Sequence, residues 1–134
     1  MDLFAQLRKM NLLLIDDDEW VRDSLRLFFE SEGCKITVLE TAEEGLDLIK
    51  HQYFDIIIID FHLPGMDGIE FIKQLSTKQA NSLNILITAF GNRDIFSRAQ
   101  KAGIQEFIAK PFTSEVIETS LRKLISMPEY RPAH

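Results

Sequence analysis

Phe54-Asp55-Ile56-Ile57-Ile58-Ile59-Asp60 is an apolar, β-branched run closed by a carboxylate. Consecutive isoleucines favour extended backbone, and a run with no polar alternation is what a strand covered on both faces requires. The stretch therefore reads as the central strand of a parallel sheet, delivering Asp60 into the loop at its carboxyl end. Leu12-Leu13-Leu14-Ile15 leads in the same way into Asp16-Asp17-Asp18. Parallel strands release their last residues at one edge, where open α/β sheets bind ligands, so the two runs bring their acids into one pocket. Crowded carboxylates repel one another, and either a raised pKa or a hard divalent cation such as Mg²⁺ relieves them. The cation is the expected resolution.

Outward from that strand, apolar extended runs alternate with helical periodicity five times, the signature of βα units around a parallel sheet. The strands are expected at Asn11 to Ile15, Lys35 to Leu39, Phe54 to Ile59, Asn84 to Thr88 and Glu106 to Ala109. The first helix is expected over Glu19 to Glu32, with Val21, Leu25 and Phe28 inward and Gly33 as its C-terminal cap. Thr41 and Glu44 form a capping-box pattern ahead of Leu46 and Ile49. Asp67 is the expected cap of a third helix, Gly68 to Gln79, burying Ile69, Ile72 and Leu75. Arg93 to Ala102 makes a fourth ending at Gly103, and Thr113 opens a fifth whose Val116, Ile117, Leu121 and Leu124 face inward.

The 134 residues, 46% of them hydrophobic, suit one domain with a full core. The expected division is an N-terminal extension over 1–9, a domain over 10–126, and a tail or linker start over 127–134, where Pro128 and Pro132 stand. The chain is thus either a stand-alone protein or the excised part of a longer one. Acids outnumber bases 21 to 15, for a net charge of −6, and no basic block exceeds a pair, which argues against direct nucleic-acid binding. The lone Cys34 forms no internal disulfide and no zinc motif, which fits a reducing cytoplasm. Met1 to Met10 lacks the features of a signal peptide, and no stretch reaches membrane-spanning length. Leu3, Phe4 and Leu7 would line one side of a short helical lead-in; a partly frayed extension is the expectation.

Asp16-Asp17, Asp60, Thr88-Ala89 and Lys110-Pro111-Phe112 fall at the carboxyl ends of strands one, three, four and five. In this ordered set, from about Met10 to Ser126, the chain resembles the response-regulator receiver domains of bacterial two-component signalling. The resemblance implies a flavodoxin-like doubly wound (βα)5 sandwich with a parallel sheet of order 2-1-3-4-5. It implies that Asp60 is the nucleophile and phosphorylation site, taking a phosphoryl group from a sensor histidine kinase or histidine phosphotransfer protein. It assigns Asp17 and Asp60 as direct Mg²⁺ ligands, Asp16 as a ligand through water and the His62 backbone carbonyl as another; Mn²⁺ would substitute. Asp17-Asp18 is also an adjacent pair, but the strand favours Asp16-Asp17 and leaves Asp18 to begin the helix.

By the same resemblance, Lys110 neutralises phosphoryl oxygens and pairs with the acceptor carboxylate beforehand, next to a Lys110-Pro111 bond expected in cis. Thr88 would bond a phosphoryl oxygen, Ala89 would leave it room, and Phe107 matches the aromatic switch position, although a strand phenylalanine on its own is simply core. Output is expected on the face of the fourth helix, fifth strand and fifth helix, from a monomer or a phosphorylation-dependent dimer. His62 and Phe90 occupy the two positions that tune phosphoryl lifetime; with no second histidine nearby, the His62 ring should face solvent. Trp20 is out of phase with the inward residues of its helix. It is either an exposed contact for the phosphodonor, with Phe112, or packed on its own helix or the Lys110 stem.

Such a protein would catalyse only its own phosphorylation and dephosphorylation. A haloacid dehalogenase-like phosphatase would share the strand-end Asp, Thr, Lys and Mg²⁺, but Trp20 stands where that family needs threonine and no further acidic pair follows Lys110. A phosphorylation-independent binding module would not need the full set of acids, threonine and lysine. A flavin carrier would need phosphate-cradling amides where Asp16-Asp17-Asp18 stand.

Overall fold

The computed structural model describes residues 2–75, 77–79 and 81–126. In chain order the elements are α1 (Leu3–Leu7), β1 (Asn11–Ile15), α2 (Glu19–Ser31), β2 (Lys35–Leu39), α3 (Ala42–Ile49), β3 (Ile56–Asp60), α4 (Gly68–Lys73), a 3-10 turn (Thr77–Gln79), β4 (Leu83–Thr88), α5 (Arg93–Ala102), β5 (Glu106–Ala109) and α6 (Ser114–Ile125). The strands form one parallel sheet of order β2-β1-β3-β4-β5. With α1 counted, the expected output face is α5, β5 and α6.

The isoleucine run explains the layering. Side chains alternate across a strand, so Ile56 and Ile58 enter one core layer and Ile57 and Ile59 the other, all fully buried. Each such burial contributes about 2 kcal/mol. The first layer packs Val21, Leu25 and Phe29 of α2 and Ile117, Leu121 and Leu124 of α6 on Leu12, Leu14, Ile85 and Ile87. The second packs Ala42 of α3, Ile69, Phe71 and Ile72 of α4 and Ala99 of α5 on Leu13, Ile15 and Leu86. Side-chain caps start the helices at Asp18, Thr41, Asp67, Asn92 and Thr113, with both halves of the Thr41–Glu44 capping box present.

Several boundaries and faces differ from the sequence expectation. Residues 3–7 are not frayed: Asp2 caps α1, Leu3 and Leu7 join the first core layer, and the Phe4 ring meets Phe28 edge-on at 5.9 Å. Arg8 Nε also donates to the Glu32 carbonyl at 2.8 Å, tying the segment to the end of α2. The fully buried ring of α2 is Phe29, in phase with Val21 and Leu25, while Phe28 sits half-buried at the edge of the stripe. Val116 is 43% exposed, because Ile117, Leu121 and Leu124 already make the inward stripe of α6.

The helix expected over Gly68 to Gln79 stops at Lys73, and Gln79 turns back to the sheet. Its side-chain amide accepts from the Phe54 N–H at 3.0 Å and donates to the Phe54 carbonyl at 2.9 Å. This replaces a strand neighbour for Phe54, and β3 proper begins at Ile56. The expected tail over 127–134 lies outside the described residues.

Candidate functional site

β1, β3 and β5 end at the same edge and bring Asp16, Asp60 and Lys110 together. The Lys110 ammonium donates to Asp60 Oδ2 at 2.8 Å and to Asp16 Oδ1 at 3.3 Å. Asp60 Oδ1 accepts the backbone N–H of His62 at 3.2 Å, and Asp16 Oδ1 accepts that of Asp18 at 2.9 Å. Asp16 and Asp60 are buried and Asp17 is exposed. One carboxylate oxygen from each of Asp16, Asp17 and Asp60 lies within 4.8 Å of the others.

Close backbone packing sets the position of Asp60. A Cβ on Gly68, the first residue of α4, would stand 2.5 Å from the Asp60 carbonyl oxygen and 3.0 Å from Leu86 Cδ1. Only glycine lets α4 begin directly against the end of β3. Further along the same loop, Glu43 of α3 accepts the Met66 N–H at 3.0 Å, beside Gly65 with its φ of +78°.

The electrostatics follow from burial and crowding. Burial pushes the Asp16 carboxyl up to about 6, against the Asp18 amide and Lys110, which lower it; the neighbouring Asp60 charge raises it further. Burial also works against the Lys110 charge, but its bonds to Asp60 and Asp16 outweigh that and hold the ammonium above its ordinary range. Asp16 Oδ2 forms an ion pair with the Lys110 nitrogen at 3.0 Å but has no hydrogen-bond partner among the described residues. A buried, orphaned carboxylate oxygen beside two further carboxylates is an all-oxygen donor set, and these residues fit a hard divalent cation.

Thr88 and Phe107, predicted for the same site, have other partners. The buried Thr88 hydroxyl donates to the Phe90 carbonyl at 3.0 Å and accepts the Phe90 N–H at 3.1 Å. Phe107 packs on the second core layer, with its ring edge-on to Phe96 at 4.9 Å. Phe96 in turn covers Gly91, where a Cβ would fall 2.4 Å from the ring. The loop after Thr88 thus touches Phe107 through Phe96, a residue the sequence analysis passed over; Gly91 facing an aromatic one helical turn into α5 was the available signal. The His62 ring is exposed, 6.5 Å from the Phe90 ring, which is 75% exposed at the pocket rim. Lys110-Pro111 is cis.

Beside the pocket, a cleft of about 410 Å³ lies between α2 and the start of α6, lined among others by Trp20, Ser24, Phe28, Ala89, Lys110 and Phe112. Trp20 is 78% exposed, which favours the first of the two readings left open for it.

This combination defines a class, the doubly wound domains that gather carboxylates for a cation at the carboxyl edge of a parallel sheet. The family model described as response regulator receiver domain matches residues 12–122, and the chain belongs to that family. Over 119 residues it is 31% identical to the transcriptional regulatory protein FixJ of Bradyrhizobium diazoefficiens, covering 86% of this chain and 58% of that protein. It is 28% identical to the sporulation initiation phosphotransferase F of Bacillus subtilis, covering 87% of this chain and 94% of that one. A CheY-like receiver domain protein from Methanospirillum hungatei superposes with a TM-score of 0.80 at 27% identity, over 87% of this chain and 94% of that chain. The chain thus spans little more than half of FixJ and nearly all of the Bacillus protein. A receiver is a signalling module rather than an enzyme, which sets aside the phosphatase alternative. No helix among the described residues is long and apolar enough to cross a membrane.

Proposed function

We propose that the protein accepts a phosphoryl group on Asp60 from a phosphohistidine, in a Mg²⁺-dependent reaction, and converts that event into a change of the α5–β5–α6 face. The observation that carries this reading is the Lys110 ammonium shared between Asp60 and Asp16 at the edge of a carboxylate triad. In the transfer, an Asp60 carboxylate oxygen forms a bond to phosphorus, the phosphorus–nitrogen bond breaks, and the imidazole leaves with the electron pair. Lys110 is already bonded to the acceptor and can follow the phosphoryl oxygens as charge accumulates on them. Bound by Asp16, Asp17, Asp60 and the His62 carbonyl, Mg²⁺, or Mn²⁺ in its place, would supply positive charge to the same oxygens.

Thr88 has a bond to exchange. Its hydroxyl is held by Phe90, so donating to a phosphoryl oxygen means giving up the Phe90 carbonyl and moving that loop. Gly91 lies in the same loop under Phe96, and Phe96 meets Phe107, so the displacement has a packed route to the output face. The phosphoryl group would bias a two-state equilibrium.

The partners that fit are a sensor histidine kinase or a histidine phosphotransfer protein. The cleft beside Lys110, with Trp20 and Phe112 on its sides, offers the apolar contact such a donor helix needs. The net charge of −6 disfavours nucleic acid as a direct partner, and a cytoplasmic setting matches the lone Cys34. The test is incubation with acetyl phosphate and Mg²⁺ followed by intact mass measurement. One added phosphoryl group, lost on chelation and in Asp60→Asn, supports the proposal; no adduct in a protein that binds Mg²⁺ contradicts it.

A further inference from the structure

The Asp16-Asp17-Asp18 turn is fixed from both sides. Asp16 Oδ1 accepts the Asp18 N–H at 2.9 Å, and the Asp18 carboxylate accepts the Trp20 N–H at 2.9 Å to start α2. The Asp16 carbonyl in turn accepts from the Arg22 guanidinium at 2.9 Å, reaching over from the first turn of that helix. A second nitrogen of the same guanidinium reaches Glu40, just beyond β2, at 3.5 Å. The Arg22 side chain is only 14% exposed, whereas Glu40 is 66% exposed. A largely buried, planar fork therefore ties the Asp16–Asp17 peptide to α2 and, more loosely, to the β2–α3 loop.

We infer that Arg22 is a positioning residue for the cation: by fixing the Asp16 carbonyl it orients the peptide that carries the exposed Asp17 carboxylate toward Asp16 and Asp60. This rests on the cation reading proposed above. Arg22 acts through the backbone, at the Asp16 carbonyl, rather than through the carboxylates themselves. Groups that orient a ligand in this way typically cost roughly 10-fold to 100-fold in metal affinity when removed.

The sign of the effect separates positioning from charge. A cation beside an acidic pocket repels Mg²⁺, so if Arg22 acted only through its charge, removing it would tighten Mg²⁺ binding. If it positions Asp17, removing it weakens binding despite the lost repulsion. Arg22→Lys keeps the charge but not the planar fork; positioning predicts weaker binding there as well, and charge alone predicts no change.

The experiment is calorimetric titration of the full chain with MgCl₂ for wild type, Arg22→Met and Arg22→Lys, with thermal unfolding in chelator as a check of folding. The expected result is a Kd raised roughly tenfold in Arg22→Met, with Arg22→Lys between it and wild type. If Arg22→Met does not fold, Arg22→Lys decides alone, and a Kd equal to wild type overturns the inference. Equal or tighter binding in a folded Arg22→Met also overturns it, while leaving the cation site intact. No Mg²⁺ binding by wild type would instead overturn the cation reading, and this inference with it.

Discussion

The Lys110 ammonium lies 2.8 Å from Asp60 Oδ2, with both side chains mostly shielded from water. A part-buried amine between two buried acids balances them, and it also occupies space and charge that a divalent cation would otherwise claim alone. Lys110→Met should therefore bind Mg²⁺ more tightly while taking up phosphoryl groups from acetyl phosphate at least tenfold more slowly, by about 1.4 kcal/mol of lost transition-state stabilisation or more. Calorimetry and time-resolved mass measurement check the two halves. Weaker Mg²⁺ binding, or unchanged uptake, would speak against a direct role for this ammonium at the phosphoryl oxygens.

Gly68→Ala should injure the site from beneath. The added methyl meets the Asp60 carbonyl oxygen at 2.5 Å, and backbone yields poorly. The expected cost is about 1–3 kcal/mol in urea unfolding, together with slower uptake at Asp60. Wild-type stability and uptake would mean that α4 can shift without moving the end of β3.

Much of this was legible along the chain because the signals are local. Four isoleucines in a row read as a strand covered on both faces, and the caps at Asp18, Thr41, Asp67 and Thr113 are chemistry within three residues of the helix they start. Two of the misses depend on distant partners. Leu3 and Leu7 gain their order from the α2–α6 layer, and Gln79 leaves the expected helix because Phe54 needs its amide. Val116 loses its inward place to a better-phased stripe. At the site, the acids and lysine could be placed from strand ends, but the present bond of Thr88 to Phe90 and the hold of Arg22 on Asp16 could not, since both depend on loop paths that strand positions leave open.

Phe90→Ala should shorten the life of the phosphorylated state. The ring stands exposed beside His62 and contributes almost nothing to the core, so its expected role is to shield the acyl phosphate from attacking water. Stability should stay within about 0.5 kcal/mol, and the dephosphorylation rate, followed by mass after removal of acetyl phosphate, should rise. An unchanged or slower rate would exclude the ring as a shield.

Mg²⁺ should stabilise the fold increasingly as pH rises. The Asp16 carboxyl, lifted to about 6 from an ordinary 3.8, holds its proton more tightly folded than unfolded. Its contribution to stability is thus full below the unfolded value and lost as pH rises through about 6. Above that pH Asp16 is ionised as well, and its buried charge gains most from a cation. The difference in thermal midpoint with and without saturating Mg²⁺ should widen from about pH 5 to about pH 7.5. A difference that stays flat or narrows over that interval would contradict the burial-driven shift at Asp16.

The most direct test locates the phosphoryl group. After incubation with acetyl phosphate and Mg²⁺, borohydride reduces an acyl phosphate to an alcohol, so the modified aspartate becomes homoserine and can be mapped by peptide mass spectrometry. The prediction is homoserine at position 60 alone, absent when Mg²⁺ is chelated. Homoserine at position 16 or 17, or none at position 60 in a protein shown to bind Mg²⁺, would contradict Asp60 as the acceptor.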